Sequence, residues 1–419
     1  MRAKLTLLSA FVVGIVGGAI ASGCQTYDFE PVEPLAIAQT TVGDVIKARS
    51  QKPNMMVLLD TSGSMTLPVD TSLAACQLPS GGGVCGNTPS TPCPVNTCPT
   101  RWTELQAAMS RFLDDSGSAV RLGLTTYPGA AQPNSLRCES SSEVRISVPQ
   151  VDDADTASLQ SAADQIQAVI QGIPNSGPNQ PSGGTPTSLS LNFVGGVGTL
   201  QTTERQDFVL LLTDGLPNCN PSNPNGGGDV AACRCTINRC QGDYTQLGCL
   251  DKDASVTAVT ELGKKGIQTI VIGFGAETAS GAGPETLNAM AQAGGFARKC
   301  TDENPNACGA GDTCDPVTKL CGRAFYQAAN QAELSQALDA IINLVGNRNI
   351  CLLELAPAQR PTDDSLIVVY VNDVPTPGGS DTWTLTDEGV LFQGSTCERI
   401  RASTDANPIK VEARAVQRK

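Results

Sequence analysis

Two short apolar runs, each followed directly by an acidic side chain, constrain the fold of this chain more than any other feature. The runs cover residues 55–59 and 208–212. Because both are apolar throughout, they predict strands that are buried on both faces, as in a parallel sheet. Asp60 follows the first run in DTSGS, and Asp214 follows the second in LTDG. The carboxyl ends of parallel strands meet where open α/β sheets form binding crevices, so these two carboxylates are expected to converge.

Three hydroxyl side chains accompany the two carboxylates. Ser62 and Ser64 lie in DTSGS, and Thr185 lies in the sequence GGTPT between the two runs. Thr187 offers a competing hydroxyl two residues further on. Carboxylate and hydroxyl oxygens are hard ligands, which suit Mg²⁺, Mn²⁺ or Ca²⁺ and are poorly suited to zinc or copper. The sequence therefore predicts a site for one divalent cation at the carboxyl edge of the sheet, with ordinary turn-capping residues as the alternative.

This ordered set of motifs resembles the von Willebrand factor type A domain and its metal-ion-dependent adhesion site. The resemblance implies that one divalent cation is surrounded by Asp60, Ser62, Ser64, Thr185 and Asp214. Thr185 is favoured over Thr187 because the family threonine follows directly on small residues, here Gly183 and Gly184. In this family an acidic side chain of the binding partner completes the coordination of the ion. A purely structural ion held by the same residues is the alternative.

Strand and helix patterns alternate between residues 53 and 347 and predict an α/β fold with a doubly wound, mostly parallel sheet. The predicted strands cover residues 55–59, 120–127, 144–148, 208–212, 267–274 and 324–327. The resemblance makes residues 53–347 a von Willebrand A-like domain, with disulfide-rich insertions in its loops. Short β-rich runs after Gly346 predict a small C-terminal β module over residues 348–419.

The N-terminal residues indicate export. Residues 1–23 have the charged start and apolar stretch of a signal peptide. The sequence ASGC, which ends at Cys24, resembles the lipobox of bacterial lipoproteins, and this implies a diacylglycerol and acyl lipid on Cys24. An ordinary cleaved signal peptide is the alternative. Gln25 stands where many inner-membrane lipoproteins carry Asp, so the resemblance implies the outer membrane, with residues 24–52 as a lipidated tether.

The 17 cysteines support export, because lipidation of Cys24 leaves an even number for disulfides in an oxidising compartment. Thirteen of them form three groups close in sequence, which are Cys76, Cys85, Cys93 and Cys98; Cys219, Cys233, Cys235, Cys240 and Cys249; and Cys300, Cys308, Cys314 and Cys321. We predict that Cys351 pairs with Cys397 and that Cys138 pairs with a member of the second group. The alternative for Cys233, Cys235, Cys240 and Cys249 is a zinc site with thiolate ligands.

Composition excludes several classes of function. The chain contains no histidine, which removes Ser-His-Asp and Cys-His catalysis and histidine-based zinc hydrolysis. A net charge of −13, with no basic patch to offset it, argues against nucleic-acid partners and against binding to anionic membrane surfaces by charge. An enzyme is therefore less favoured than the two non-enzymatic functions described next, an adhesin and an assembly scaffold.

The order of lipobox, tether, cysteine-rich A-type domain and β module resembles outer-membrane lipoproteins of myxobacterial gliding motility. This implies a cell-surface adhesin that couples the motility machinery to the substratum through a divalent cation. Its partners would be the substratum or an acidic protein ligand, together with outer-membrane motility or envelope proteins. The alternative is a periplasm-facing lipoprotein that scaffolds assembly of an envelope complex through the same metal site.

Overall fold

The structure is a computed structural model. It describes residues 39–46, 52–129, 138–153, 155–201, 205–226, 230–237, 240–242, 244–300, 308–309, 312–346, 351–355, 363–387, 389–401, 403 and 409–416. The predicted signal peptide and the predicted lipidation of Cys24 lie outside the described residues. Within the ranges above, no helix combines the length and apolar character needed to cross a bilayer.

Strands and helices alternate through the first three quarters of the chain, and strands dominate the last quarter. In chain order the strands are β1 (Gln39–Ile46), β2 (Asn54–Asp60), β3 (Arg121–Tyr127), β4 (Asp207–Thr213), β5 (Ile267–Phe274), β6 (Tyr326–Ala328), β7 (Leu352–Glu354), β8 (Ile367–Val371), β9 (Val374–Thr376), β10 (Trp383–Thr386), β11 (Gly389–Phe392) and β12 (Ile409–Val416). The helices are α1 (Arg101–Ser116), α2 (Thr156–Gln171), α3 (Thr187–Val194), α4 (Val230–Cys233), α5 (Tyr244–Leu247), α6 (Lys252–Lys264), α7 (Ala276–Ala279), α8 (Ala282–Ala293), α9 (Gln331–Gly346) and α10 (Gly394–Arg401).

The central sheet has five strands in the order β3-β2-β4-β5-β6, and every neighbouring pair is parallel. The chain passes from β2 outward to β3, crosses back over β2 to β4, and then continues outward to β6. The direction of the connections therefore reverses between β2 and β4. In a doubly wound sheet this reversal leaves a crevice at the carboxyl ends of the two strands. The predicted α/β fold class is confirmed.

Helices cover both faces of this sheet, which explains why its central strands are apolar throughout. Along β2, Met55, Val57 and Leu59 pack against a layer that contains α1, α2 and α9. Met56 and Leu58 on the same strand pack against a layer that contains α3, α6 and α8. All seven residues of β2 are buried, so the strand end that carries Asp60 is held rigidly from both sides.

A capping box fixes the start of α1, the helix that follows β2. The Thr100 hydroxyl accepts a hydrogen bond from the Thr103 backbone N–H, and the Thr103 hydroxyl accepts one from the Thr100 backbone N–H. In the same first turn of the helix, the buried Trp102 indole donates to the Ile173 carbonyl at 2.9 Å. These contacts set the position of Arg101, the first residue of the helix.

The C-terminal strands form two small antiparallel sheets, in the orders β1-β12-β8-β9 and β10-β11-β7. The predicted β module is present, although the sequence did not predict α10, which follows β11. The sequence predicts a tether over residues 24–52, whereas the structure pairs Gln39–Ile46 with Ile409–Val416 along the whole length of β1. The two strands lie some 370 residues apart, so a local sequence pattern carries no sign of this pairing.

One predicted strand of the α/β domain is wrong. Residues 144–148 make a single antiparallel bridge, from Ile146 to Leu124 on the edge strand β3, and do not continue as a strand. The Ile146 backbone N–H and the Arg145 backbone N–H both donate to the Leu124 carbonyl, at 3.1 and 2.8 Å. Because two backbone N–H groups share one carbonyl there, the regular hydrogen-bond pattern of an antiparallel ladder does not continue.

Eight disulfides join the sixteen cysteines from Cys76 to Cys397. They are Cys76–Cys98, Cys85–Cys93, Cys138–Cys219, Cys233–Cys249, Cys235–Cys240, Cys300–Cys314, Cys308–Cys321 and Cys351–Cys397. The predicted Cys351–Cys397 bond and the predicted bond from Cys138 to the second group are confirmed. The zinc alternative is wrong, because its four sulfur atoms are consumed in two disulfides.

Candidate metal centre

The two predicted carboxylates lie side by side at the crevice between β2 and β4. Asp60 is the last residue of β2, and Asp214 follows the last residue of β4. The register pairs Leu59 with Leu212, so the end of β2 lies beside the end of β4. The Thr213 hydroxyl donates to Asp60 Oδ2 at 2.8 Å, and both carboxylate side chains are fully buried.

The two predicted serines connect these carboxylates. The Ser62 backbone N–H donates to Asp60 Oδ1 at 2.8 Å, which folds the chain back over the end of β2. The hydroxyl oxygens of Ser62 and Ser64 are 3.1 Å apart, and the Ser64 hydroxyl donates to Asp214 Oδ1 at 2.9 Å. A short 3₁₀ turn over Gly63–Thr66 holds this arrangement. DTSGS and LTDG thus form one cluster of oxygen atoms.

Thr185 joins the cluster from the loop before α3. That loop is held against DTSGS by a hydrogen bond from the Gly63 backbone N–H to the Gly183 carbonyl at 3.0 Å. A Cβ atom placed on Gly215 would lie 3.5 Å from the Ser64 hydroxyl oxygen and 3.8 Å from the Thr185 hydroxyl oxygen. The competing Thr187 hydroxyl instead donates back to the Thr185 carbonyl at 3.4 Å. The structure brings Thr185, and not Thr187, to the other predicted oxygen donors.

This donor set fits a hard divalent cation. Its side-chain donors are two carboxylates and three hydroxyls, with no sulfur or imidazole among them, as Mg²⁺, Mn²⁺ and Ca²⁺ prefer. Gly215 borders the space that the Ser64 and Thr185 hydroxyls share, and any side chain there would fill it. When bound, the ion would supply a Lewis-acidic centre for an acidic group of a partner.

Burial places an electrostatic cost on the two carboxylates. Burial first, and the nearby Asp214 carboxylate second, raise the pKa of Asp60 from its ordinary value of 3.8 to about 7. Burial also raises the pKa of Asp214, although the adjacent Arg101 guanidinium opposes that shift. Two buried acids with raised pKa values indicate a centre that is short of positive charge, which a divalent cation would provide.

Two charged residues at the centre, Arg101 and Glu277, belong to no sequence motif, so the sequence does not predict them. Arg101 donates to Asp214 Oδ2 at 2.9 Å from the first turn of α1, and Glu277 on α7 accepts from the same guanidinium at 3.1 Å. The one sequence signal for Arg101 is that it begins a helix that follows the predicted metal-binding loop. Long side chains reach the centre from distant parts of the chain, and spacing does not reveal them.

A disulfide braces the loop that carries Thr185. The Cys138–Cys219 bond joins the segment after β3 to the segment after β4. A Cβ atom on Gly184 would lie 2.3 Å from Cys219 Sγ and 3.4 Å from Cys138 Sγ, so the sulfur atoms lie directly against the residue before Thr185. The Thr185 backbone N–H also donates to the Asn218 side chain at 2.7 Å. The insertion after β4 therefore holds Thr185 in position through this disulfide and this hydrogen bond.

In the presence of a chelator, the folded protein is expected to lose stability as the pH rises from 5 to 8. The folded state keeps the Asp60 proton up to a pH of about 7, whereas the unfolded chain releases it near 3.8, so the folded state binds more protons between these values. Over this window the loss is expected to reach about 2.7 kcal/mol, because about two pH units separate pH 5 from the raised pKa. Thermal unfolding in EDTA measures it, and no histidine titrates in this window. A stability that rises over this range, or the same slope in Asp60→Asn, would contradict the assignment to Asp60.

Comparisons with known proteins give only distant similarities. No protein-family model matches the chain, and no curated protein matches it. The PilB minor pilin from Streptococcus sanguinis aligns with a TM-score of 0.38 and 16% identity over 71% of this chain, which spans 62% of the pilin. The pilus adhesin SpaC from Lactobacillus rhamnosus GG aligns with a TM-score of 0.38 and 11% identity over 90% of this chain, which spans 40% of SpaC. The manganese-loaded TRAP protein from Plasmodium vivax aligns with a TM-score of 0.34 and 14% identity, over 73% of this chain and 77% of TRAP. The fold class given above rests on the strand order and register.

Proposed function

We propose that this protein is an adhesin that holds an acidic ligand through one divalent cation. The observation that supports this function is the convergence of Asp60, Ser62, Ser64, Thr185 and Asp214 at the crevice between β2 and β4. Three of these donors are neutral, so a bound divalent cation keeps positive charge that a ligand carboxylate can neutralise. The proposal gives the ion an adhesive role and not a catalytic one.

The proposed cellular setting is the outer surface of the outer membrane. A lipid on Cys24 would hold the chain on the bilayer, because acyl chains can anchor a protein that has no spanning helix. The ligand would be the substratum or an acidic protein on it, and the resemblance to gliding lipoproteins suggests that the motility machinery drives the contact. Outer-membrane motility or envelope proteins are the proposed partners on the cell side.

Whole-cell attachment tests the proposal. Cells that carry Asp60→Ala or Asp214→Ala are expected to lose attachment to beads or glass, and EDTA is expected to abolish attachment of wild-type cells, with recovery on addition of Mg²⁺ or Mn²⁺. Asp164→Ala is the matched control, because this exposed carboxylate lies on α2 and accepts a hydrogen bond only from its own helix. Normal attachment by both site variants would refute the cation-bridged mechanism.

Surface labelling of the same cells separates the adhesin from a periplasmic assembly factor. Antibody or protease that reaches the protein on intact cells supports the adhesin. If only permeabilised cells are labelled while the site variants still impair assembly of an envelope complex, the periplasm-facing scaffold replaces it. The expression level and melting temperature of each variant are measured in parallel, so that loss of attachment is not confused with loss of folded protein.

A further inference from the structure

A buried arginine forms an ion pair with one of the proposed metal ligands. The Arg101 guanidinium donates to Asp214 Oδ2 at 2.9 Å and to Glu277 Oε1 at 3.1 Å, and only 5% of its side chain is exposed. Its path runs beside Gly275, where φ is +87° and an added Cβ would lie 3.1 Å from Arg101 Nε. The β5–α7 connection thus leaves room for the arginine, and the first turn of α1 aims it at the centre.

The ion pair divides the two oxygen atoms of Asp214 between two tasks. Oδ1 accepts from the Ser64 hydroxyl and faces the other oxygen donors, whereas Oδ2 is held by Arg101. Asp214 can therefore offer one oxygen to a cation and is prevented from binding it through both. The orientation of the carboxylate is fixed before any ion arrives, because its second oxygen is already bonded.

The same ion pair changes the charge that a cation meets. Asp60 and Asp214 together carry two negative charges, and the Arg101 guanidinium offsets one of them at hydrogen-bond distance. Water screens this pair little, since Asp214 is fully buried and Arg101 nearly so. Glu277 is 49% exposed and returns part of that negative charge from the far side of the guanidinium. A divalent cation at this centre would be only partly neutralised by the protein.

We infer that Arg101 is a positioning residue that weakens cation binding by the protein alone and strengthens the hold of the bound cation on a ligand carboxylate. The inference rests on the proposed cation site. The guanidinium repels the ion, and it also leaves the ion with more positive charge for an acidic ligand to neutralise. The cation and the acidic ligand therefore reinforce each other's binding, and each is held loosely without the other.

The sign of the effect separates this role from a merely structural one. If Arg101 only supported the fold around Asp214, its removal would weaken cation binding and carboxylate binding together. If it acts by charge, its removal tightens cation binding and loosens carboxylate binding at saturating cation. Outer partners of metal ligands commonly change metal affinity by about 10- to 100-fold, which sets the size of effect to look for.

The test titrates the purified full chain with Mn²⁺ alone. Electron paramagnetic resonance of the free ion measures how much Mn²⁺ remains unbound. Arg101→Met, which keeps the length and removes the charge, is expected to bind Mn²⁺ about tenfold more tightly than wild type. Arg101→Lys keeps the charge and is expected to bind close to wild type. Glu277→Gln leaves Arg101 with Asp214 as its one remaining ion-pair partner among the described residues, and this variant is expected to bind Mn²⁺ more weakly. Acetate then serves as the carboxylate probe at saturating Mn²⁺, and relaxation of its protons is expected to report weaker binding to Arg101→Met.

Equal or weaker Mn²⁺ binding by a folded Arg101→Met protein would overturn the inference while leaving the cation site intact. If that variant does not fold, Glu277→Gln decides, and unchanged or tighter Mn²⁺ binding by it overturns the inference. Failure of the proposed function looks different. In that case wild type and Asp60→Ala bind Mn²⁺ alike, or neither binds it.

Discussion

Asp60→Asn is expected to abolish cation binding and, in the same protein, to stabilise the cation-free form. Asn has nearly the same shape. Its side-chain oxygen can still accept from the Ser62 backbone N–H, and its amide N–H can donate to the Thr213 hydroxyl, which in the wild type donates to Asp60. The substitution removes a charge that is fully buried. At pH 8 the wild-type carboxylate is ionised against a raised pKa of about 7, so its loss is expected to add roughly 1–3 kcal/mol to the free energy of unfolding. Cation affinity is expected to fall by at least about 100-fold.

Thermal unfolding with EDTA and with Mg²⁺ measures both effects. At a Mg²⁺ concentration of 100 times its dissociation constant, the wild type is expected to gain about 2.7 kcal/mol, and the variant almost none. Asp153→Asn is the matched control. Burial raises the pKa of that carboxylate, but the hydrogen bonds and charges of Arg205 and Arg121 outweigh it and lower the pKa overall, so the same substitution is expected to destabilise the protein without changing Mg²⁺ affinity. If Asp60→Asn lowered the stability in EDTA, the electrostatic account of the centre would be wrong.

Removal of the Cys138–Cys219 disulfide is expected to lower both stability and cation affinity. The bond closes a loop of sequence separation 81, and loss of a native disulfide typically costs about 2–5 kcal/mol. Its sulfur atoms also lie against Gly184, so the double variant Cys138→Ser, Cys219→Ser frees the loop that presents Thr185. Ordering that loop then opposes cation binding, which is expected to weaken by about tenfold.

The control is the double variant Cys300→Ser, Cys314→Ser. This disulfide lies between α8 and β6, and so precedes the amino end of a parallel strand at the edge of the sheet opposite the metal centre. Removal of this disulfide is expected to lower the free energy of unfolding without changing Mn²⁺ affinity. Chemical denaturation and Mn²⁺ titration of both double variants give the comparison. Equal Mn²⁺ affinities in the two would show that the bond near Gly184 has no part in holding Thr185.

The two central strands and the five oxygen donors could be predicted because each depends on a short local pattern in the sequence. A strand covered on both faces must be apolar throughout, and residues 55–59 and 208–212 are. Parallel strands bring the residues that follow them to one edge of the sheet, so the sequence places Asp60 and Asp214 at the same edge. The adjacency of β2 and β4 in the structure then brings the two side chains together.

The remaining features depend on contacts between distant segments. Arg101 contacts Asp214, which is 113 residues away, through a long side chain whose direction is set by the packing of α1. The 144–148 segment has a strand-like composition but lies against the edge strand for one residue only. Gln39–Ile46 finds its partner at the other end of the chain. None of these contacts leaves a periodic pattern in the sequence.

The pairing of β1 with β12 also determines where a tag on this protein would lie. The two strands are antiparallel, and Gln39 is opposite Val416 at one end of the ladder. Gln39 and Val416 therefore lie side by side at one end of this sheet. A fluorophore attached at Gln39 or at Val416 would report on the same end of this sheet, so a label meant to sense the candidate metal centre belongs in a loop near β2 or β4.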